Sequence, residues 1–444
     1  MKIQVIRKIK MVLATLLPLM LLNMSYAQTL NKAKLDQLFD RLLEKNKGMG
    51  SICIAQDGKI LYSRNFGYSQ ISETIKEPLT DDTRYRTSSI TKTYTAVMIF
   101  RLIEEGKLAL SDKLEKFFPQ IPNAGKITIA QLLSHRSGIP NVAPDGSGMQ
   151  PRTQEERVAE IAKGQPDFEP DTKHLYSNSG YVLLGYIVEK ARGMPYAEVL
   201  KERITSKLGL KNTYLGTGNT NVSRNESLSY RYLGEWKEAK EPDFSITAGA
   251  GAIVSTPADM VKFIQGLFDL KLISQNSLNQ MKTMRDGEGM GMEPFTFAGK
   301  TLYGHTGGSA TSGAWIAYYP EEKLAMAYTT NAKVYPVSNI ISGVFDIYWN
   351  RPFEIPSFEA FKVSPEILDQ YVGVYTAAGA PVKWTVTRKD STLFIQNDQS
   401  PIPLEATAEN KFTITTGVTL EFDASKKQMI IKRPGLERVF TKEN

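Results

Sequence analysis

The sequence predicts an α+β protein: an antiparallel sheet flanked by helices, followed by a small C-terminal antiparallel β-barrel or sandwich. Three observations carry this reading. The body opens with helix and strand patterns, is mostly helical in its middle, and ends in strands and a closing helix, the order of a sheet domain with a helical insertion. Pro352, Pro356 and Pro365 then interrupt the pattern. Beyond them, helical periodicity gives way to short alternating runs with turn residues between them. A chain of 444 residues is also too long for one compact core.

Each element has a local reason. Leu35, Leu38, Phe39, Leu42 and Leu43 give 30–47 a helical apolar stripe. Residues 51–68 read as a hairpin around Gln56-Asp57-Gly58-Lys59. The segment 89–105 is helical and stops at Gly106. Thr128, with Gln131 three residues on, opens a helix over 128–135 with a capping box. A further apolar helix covers 181–191. Thr256, Pro257 and Asp259 supply a cap, a first-turn proline and an acid for a helix over 256–270. Residues 302–305, 314–319 and 324–329 read as strands, and 337–349 as the closing helix. In the C-terminal part, seven runs read as strands: 371–375, 382–388, 393–396, 411–415, 418–422, 429–432 and 438–441.

The N-terminus has the order of a signal peptide. Lys2, Arg7, Lys8 and Lys10 precede the apolar run 11–24, and Ser25-Tyr26-Ala27 offers a small-residue cleavage site. The run is 14 residues and contains Pro18, short of the ~20 that a spanning helix needs. Export, with cleavage near Ala27 and no stable membrane insertion afterwards, is therefore expected. The formal net charge is +7, and taking away the four leader cations leaves +3. No basic cluster is interleaved with aromatics, so nucleic acid is not an expected partner. Cys53, the only cysteine, lies in an apolar run without basic neighbours and reads as a core residue.

Ser89 and Lys92 stand one helical turn apart on one face. A serine hydroxyl is a weak nucleophile until a base takes its proton, and a lysine at this spacing can serve that transfer. The helix start offers free N–H groups to a developing oxyanion. Tyr176-Ser177-Asn178 places a phenol and a carboxamide two positions apart on a turn, where they can point the same way. Tyr303-Gly-His-Thr-Gly-Gly runs along an expected strand, and its glycines let a substrate backbone approach.

In that order, Ser-x-x-Lys, Tyr-Ser-Asn and His-Thr-Gly resemble the three signatures of the penicillin-recognising serine hydrolases. These include class C β-lactamases, low-molecular-mass DD-peptidases and related esterases. The stretches 132–139 and 251–259 add to the resemblance, which covers about 30–349. It implies a β-lactamase/transpeptidase-like fold: a five-stranded antiparallel sheet flanked by helices, an all-helical lobe, and the site between them. It makes Ser89 the acylated nucleophile, Lys92 its proton partner, and Tyr176 the acylation base and donor to the leaving group. Asn178 would bind the acyl amide. His305, Thr306 and Gly307 would line the strand opposite, the first two engaging a substrate carboxylate. The backbone N–H groups of Ser89 and Gly308 would form the oxyanion hole.

The implied layout is a signal peptide over 1–27, a hydrolase domain over 28–350, a linker over 351–363 and a lipocalin-like barrel over 364–444. The expected activity is that of an exported DD-carboxypeptidase-like enzyme on D-amino-acid peptides, including peptidoglycan-derived ones, with β-lactams as ligands. An esterase of small acyl esters and an inactive binding module are the alternatives. No cofactor or metal is required. The third signature begins with His305 where class C β-lactamases mostly have lysine. A partly charged histidine would capture a carboxylate less well as pH rises. A Ser-His-Asp enzyme would want a Gly-x-Ser-x-Gly elbow, which is absent. His135, His174 and His305 are the only histidines and lie far apart in sequence, against a zinc site. His135 reads as a helix cap, and His174 as shaping the Tyr176 turn.

Overall fold

The computed structural model describes residues 30–143, 150–359, 361–377, 383–397, 401–414, 418–433 and 436–443. The segment 1–27, expected to be a signal peptide, lies outside them, as do Val382 and Thr415 at the ends of two expected barrel strands.

The central antiparallel sheet is built from β1 (Gly48–Gln56), β2 (Lys59–Phe66), β3 (Glu293–Phe297), β4 (Lys300–Gly308), β5 (Gly313–Tyr319) and β6 (Leu324–Lys333), in the order β3-β4-β5-β6-β1-β2. It therefore has six strands where the resemblance implied five. The addition is edge strand β3, which pairs with the first half of β4.

Both faces of the sheet are covered, so β1 is buried along nearly its whole length. Successive side chains serve different cores. Ile52, Ile54, Trp315, Ala317, Met326 and Tyr328 meet helices α1 (Lys32–Glu44) and α6 (Val337–Tyr348). Cys53, Ala55, Ala314, Ile316, Ala325 and Ala327 face the helical side. Its members include α2 (Thr91–Glu104), α3 (Ile129–Leu133), α4 (Asn178–Arg192) and α5 (Pro257–Phe268). Small residues on this second face let the helices come close. Burial pushes the Cys53 thiol up to about 12, as suits a core residue.

The caps behave as their chemistry requires. Thr128 and Gln131 form a reciprocal capping box, and Thr256 accepts from the Asp259 N–H with Pro257 in the first turn. The helix expected from 181 starts three residues earlier, because the Ser177 side chain caps it by accepting from the Gly180 N–H.

Residues 351–359 run without regular structure, yet Phe353, Ile355 and Phe358 pack on the α1/α6 core. After a short helix, α7 (Pro365–Tyr371), the chain forms a closed eight-stranded barrel: β7 (Gly373–Thr376), β8 (Trp384–Lys389), β9 (Thr392–Gln396), β10 (Ile402–Ala408), β11 (Lys411–Ile414), β12 (Val418–Asp423), β13 (Gln428–Arg433) and β14 (Leu436–Lys442). The sequence pattern passed over β10, whose second residue is Pro403. Its pairing with β9 spans only three residues, which tolerates a missing N–H. Among the described residues no helix is long and apolar enough to cross a membrane.

Candidate active site

Ser89 sits in a single 3₁₀ turn, Ser88–Ile90, that leads into α2. Ser88 has φ +48°, a left-handed conformation that costs a non-glycine residue about 1 kcal/mol or more and concentrates at functional sites. Every residue from Thr91 to Phe100 is buried, so α2 is enclosed almost all round. Lys92, on its first turn, is 0% exposed.

The ammonium of Lys92 is fully partnered. Nζ donates to Ser89 Oγ at 3.0 Å, to Asn178 Oδ1 at 2.8 Å and to the Ala250 carbonyl at 2.9 Å. Ala250 is brought there by a glycine contact. A Cβ on Gly249 would lie 2.7 Å from Gly185 Cα and 2.8 Å from the Tyr181 carbonyl, so only glycine lets this turn seat on α4. Burial is the main force on the lysine and pulls it down to about 7, against the carboxylates of Glu288 and Glu293.

Tyr176 lies in the loop before α4. Its ring faces Lys92 Nζ at 4.7 Å and stacks on the His135 ring at 4.3 Å. Burial drives its phenol well above the ordinary range, opposed by a hydrogen bond with Ser89. The resting side chain is therefore a phenol, a form suited to giving a proton. Asn178 gives its Oδ1 to Lys92, which leaves its Nδ2–H₂ as the donor for a substrate carbonyl.

The third signature lies on β4. Gly307 is dictated by close approach: a Cβ there would stand 2.1 Å from the Thr87 carbonyl and 3.1 Å from the Ser89 nitrogen. This contact brings the end of β4 against the nucleophile turn. Thr306 is exposed, but its N–H and hydroxyl already donate to Glu293 at 3.2 and 3.1 Å.

His305 differs from expectation. It is 0% exposed, its Nδ1 lies 2.5 Å from the Thr306 carbonyl, and burial lowers it below its ordinary value. At neutral pH it is an uncharged ring beneath the strand. The partly charged cation inferred from the sequence is corrected accordingly.

Sequence reasoning missed Glu288 and the convergence of two histidines on it. Glu288 Oε2 lies 2.9 Å from His174 Nε2, and Oε1 lies 3.4 Å from His135 Nε2. His135 Nδ1 accepts from the Ser177 N–H at 3.1 Å, so in the neutral ring the proton is on Nε2, the nitrogen toward Glu288. His135 is more than a helix cap: it props the Tyr176 ring and holds the loop that carries it. Burial raises Glu288 to about 7 and holds His135 well below its usual value. The only sequence signal for this cluster was a pair of histidines 39 positions apart in numbering, at 135 and 174. Glu288, Glu293 and His305 bring donor atoms within 4.8 Å of one another, the spacing of a potential cation site. In this structure the cation acting on both carboxylates is Lys92.

Ser89, Asn178 and Gly308 line a cleft of about 340 Å³, with Arg86, Asn141, Arg157, Glu241 and Phe244 among the other walls. Ser89, Lys92, Tyr176 and Asn178 thus meet, and the Gly307 end of β4 runs against Ser89. The set provides a nucleophile, a buried amine within reach of its proton, a phenol, and a carboxamide donor.

Comparison with known proteins agrees with this geometry. A family profile described as Beta-lactamase matches residues 35–341. Penicillin-binding protein 4* of Bacillus subtilis (strain 168) is 27% identical over 92% of this chain and 98% of its own length. The D-alanyl-D-alanine-carboxypeptidase/endopeptidase AmpH of Escherichia coli (strain K12) is 24% identical over 72% of this chain and 91% of its own. Among solved structures, D-amino acid amidase from Ochrobactrum anthropi SV3, complexed with D-phenylalanine, superposes with a TM-score of 0.63 at 26% identity, covering 71% of this chain and 99% of that one. With the matched region spanning the sheet, the helices and the Ser89–Lys92–Tyr176 site, the chain belongs to the Beta-lactamase family of serine hydrolases.

Proposed function

We propose that the protein is an exported serine hydrolase that forms an acyl-enzyme at Ser89 and acts on amide bonds of D-amino-acid peptides and amides. The observation that carries this is the Lys92 amine, sealed from solvent and 3.0 Å from Ser89 Oγ. An amine held down to about 7 is substantially unprotonated at neutral pH and can take the serine proton. The oxygen then bonds to the substrate carbonyl carbon, with the Ser89 and Gly308 N–H groups facing the oxyanion.

Collapse breaks the C–N bond. The Tyr176 phenol gives its proton to the departing nitrogen and regains one from Lys92. Asn178 Nδ2 holds the acyl carbonyl. Water then adds to the ester by the reverse proton path, freeing the acid and Ser89. Export is supported by the order of basic, apolar and small residues over 1–27. The amide and D-residue preference is supported by the D-amino acid amidase and D-alanyl-D-alanine-carboxypeptidase relatives.

The test is intact-mass spectrometry after exposure to a fluorescent penicillin, beside Ser89→Ala. A persistent adduct on the wild type that is lost in Ser89→Ala is expected. Absence of any adduct, together with no turnover of a short p-nitrophenyl ester, would overturn the reading in favour of a binding module.

A further inference from the structure

The walls of the cleft carry charge in an order that bears on which D-amino-acid compounds enter. This inference rests on the hydrolase reading above and deepens it. Among the described lining residues the cations are engaged elsewhere. Arg86 donates to the Pro242 and Gly218 carbonyls at 2.6 and 2.9 Å, and its guanidinium lies 3.6 Å from the centre of the Phe244 ring. Arg157 is buried and bonded to Glu160 and to the Val142 and Ile246 carbonyls.

The third signature offers no charge either. His305 is buried, and the Thr306 donors are held by the Glu293 carboxylate, which would repel a substrate carboxylate. Lys333 acts on Glu241 through space, but its Nζ donates to the Ser309 carbonyl at 2.7 Å and it is not among the lining residues.

Glu241 is different. Its Oε1 accepts from three hydroxyls: Ser229 at 2.7 Å, Ser309 at 2.8 Å and Thr311 at 3.2 Å. These fix the carboxylate rigidly, on the same cleft as Ser89 and Gly308. All three bonds go to Oε1, and Oε2 is not among the buried side-chain oxygens lacking a partner. That oxygen is reachable and available to a donor from the cleft. Asp243, the other acidic wall, spends Oδ1 on the Ser245 N–H and hydroxyl and is 4% exposed.

We infer that the cleft takes D-aminoacyl amides or esters with a free α-ammonium, and that Glu241 is the group that binds that ammonium. A substrate recognised by a C-terminal carboxylate fits these walls less well. Hydrolysis of such a compound releases a free amino acid, so the reaction that supplies the substrate must leave the amine uncapped.

Binding can be measured without turnover, by calorimetry on full-length protein carrying Ser89→Ala. The probes are D-phenylalaninamide, N-acetyl-D-phenylalaninamide and N-acetyl-D-phenylalanine. The free-amine probe should bind at least about tenfold tighter than either acetylated one, the scale of one well-placed charge-assisted hydrogen bond. Adding Glu241→Gln should reduce that preference to within about twofold. Glu241→Asp keeps the charge and should keep part of the preference. Equal binding of the first two probes, tightest binding of the carboxylate probe, or no binding of the amine would overturn the inference. So would an equal loss in Glu241→Asp and Glu241→Gln. These outcomes are separate from failure of the acyl-enzyme reading, which is decided by the mass of the wild-type adduct.

Discussion

The hydrolase body and the C-terminal barrel bury different chemistry. The barrel interior is Leu393, Ile395, Leu404, Phe412, Leu420, Phe422, Met429 and Phe440 with their apolar neighbours. The buried Tyr375 hydroxyl is satisfied within it, donating to the Tyr371 carbonyl at 2.9 Å. Among the described residues every buried Lys, Arg, His, Asp or Glu side chain lies in the body, and the least exposed of them, Lys92, His135 and His305, gather around Ser89 or directly behind it. Burying such groups costs free energy, so the body gives up stability at the place where it does chemistry, while the described residues of the barrel bury no such group. The barrel core reads as structural, and the body's helical face as a site.

The largest effect that would test this contrast comes from exchanging the roles of the two cores. Lys92→Met keeps the volume of the side chain and removes its charge. Acylation by a fluorescent penicillin should fall by about 10²–10⁴-fold. The body should stay folded with a melting temperature lower by only a few degrees, since an apolar chain fills the space but the Asn178 Oδ1 and the Ala250 carbonyl lose their donor. Leu420→Ala should do the opposite, costing about 2–5 kcal/mol by leaving a cavity while acylation at 25 °C proceeds at the wild-type rate. If Lys92→Met melts the body, or Leu420→Ala slows acylation, the division of labour is wrong. Scanning calorimetry and stopped-flow fluorescence on the same samples would decide.

A smaller effect sharpens how the fold positions the site. In Gly307→Ala the added methyl meets the Thr87 carbonyl at 2.1 Å, and backbone rather than a flexible side chain must yield. The end of β4 and the Ser89 turn would separate by a fraction of an ångström to an ångström. A misplacement of that size is worth about 10²-fold in rate. An unchanged acylation rate in a folded variant would remove Gly307 from the positioning of the oxyanion hole.

These two sites show why the sequence was legible in one respect and opaque in another. Ser89, Lys92 and Asn178 were readable because local spacing put them on a helix start and a turn, and the strands could follow from period-two alternation. Thr128 and Thr256 announced their helices through capping chemistry. β3 and β10 were missed because an edge strand and a strand containing Pro403 have weak local signatures. His305 was read as a charged wall because sequence gives identity without depth, and only the three-dimensional packing buries it. Glu288 was invisible for a related reason. Its importance comes from two histidines and a lysine brought in by three other segments, and no spacing rule joins residues 92, 135, 174 and 288.

The smallest predicted effect bears on that last group. Lys92 must be unprotonated to take the serine proton, and burial holds it near 7. Acylation should therefore rise as pH climbs from 6 to 8, by about tenfold, and level off above. Glu288 and Glu293 oppose the burial and raise Lys92, because their negative charge favours the ammonium. Glu288→Gln preserves shape and a hydrogen-bonding partner for His174 but removes one of those charges. Lys92 should then lose its proton more readily, and the acid limb of the profile should move to lower pH, by up to about one unit. A purely structural Glu288 would lower the rate at every pH and leave the midpoint where it was. An unmoved midpoint would also mean that Glu288 carries no charge in the working enzyme. The body's buried polar cluster would then be a neutral scaffold, closer in kind to the barrel core than its composition implies.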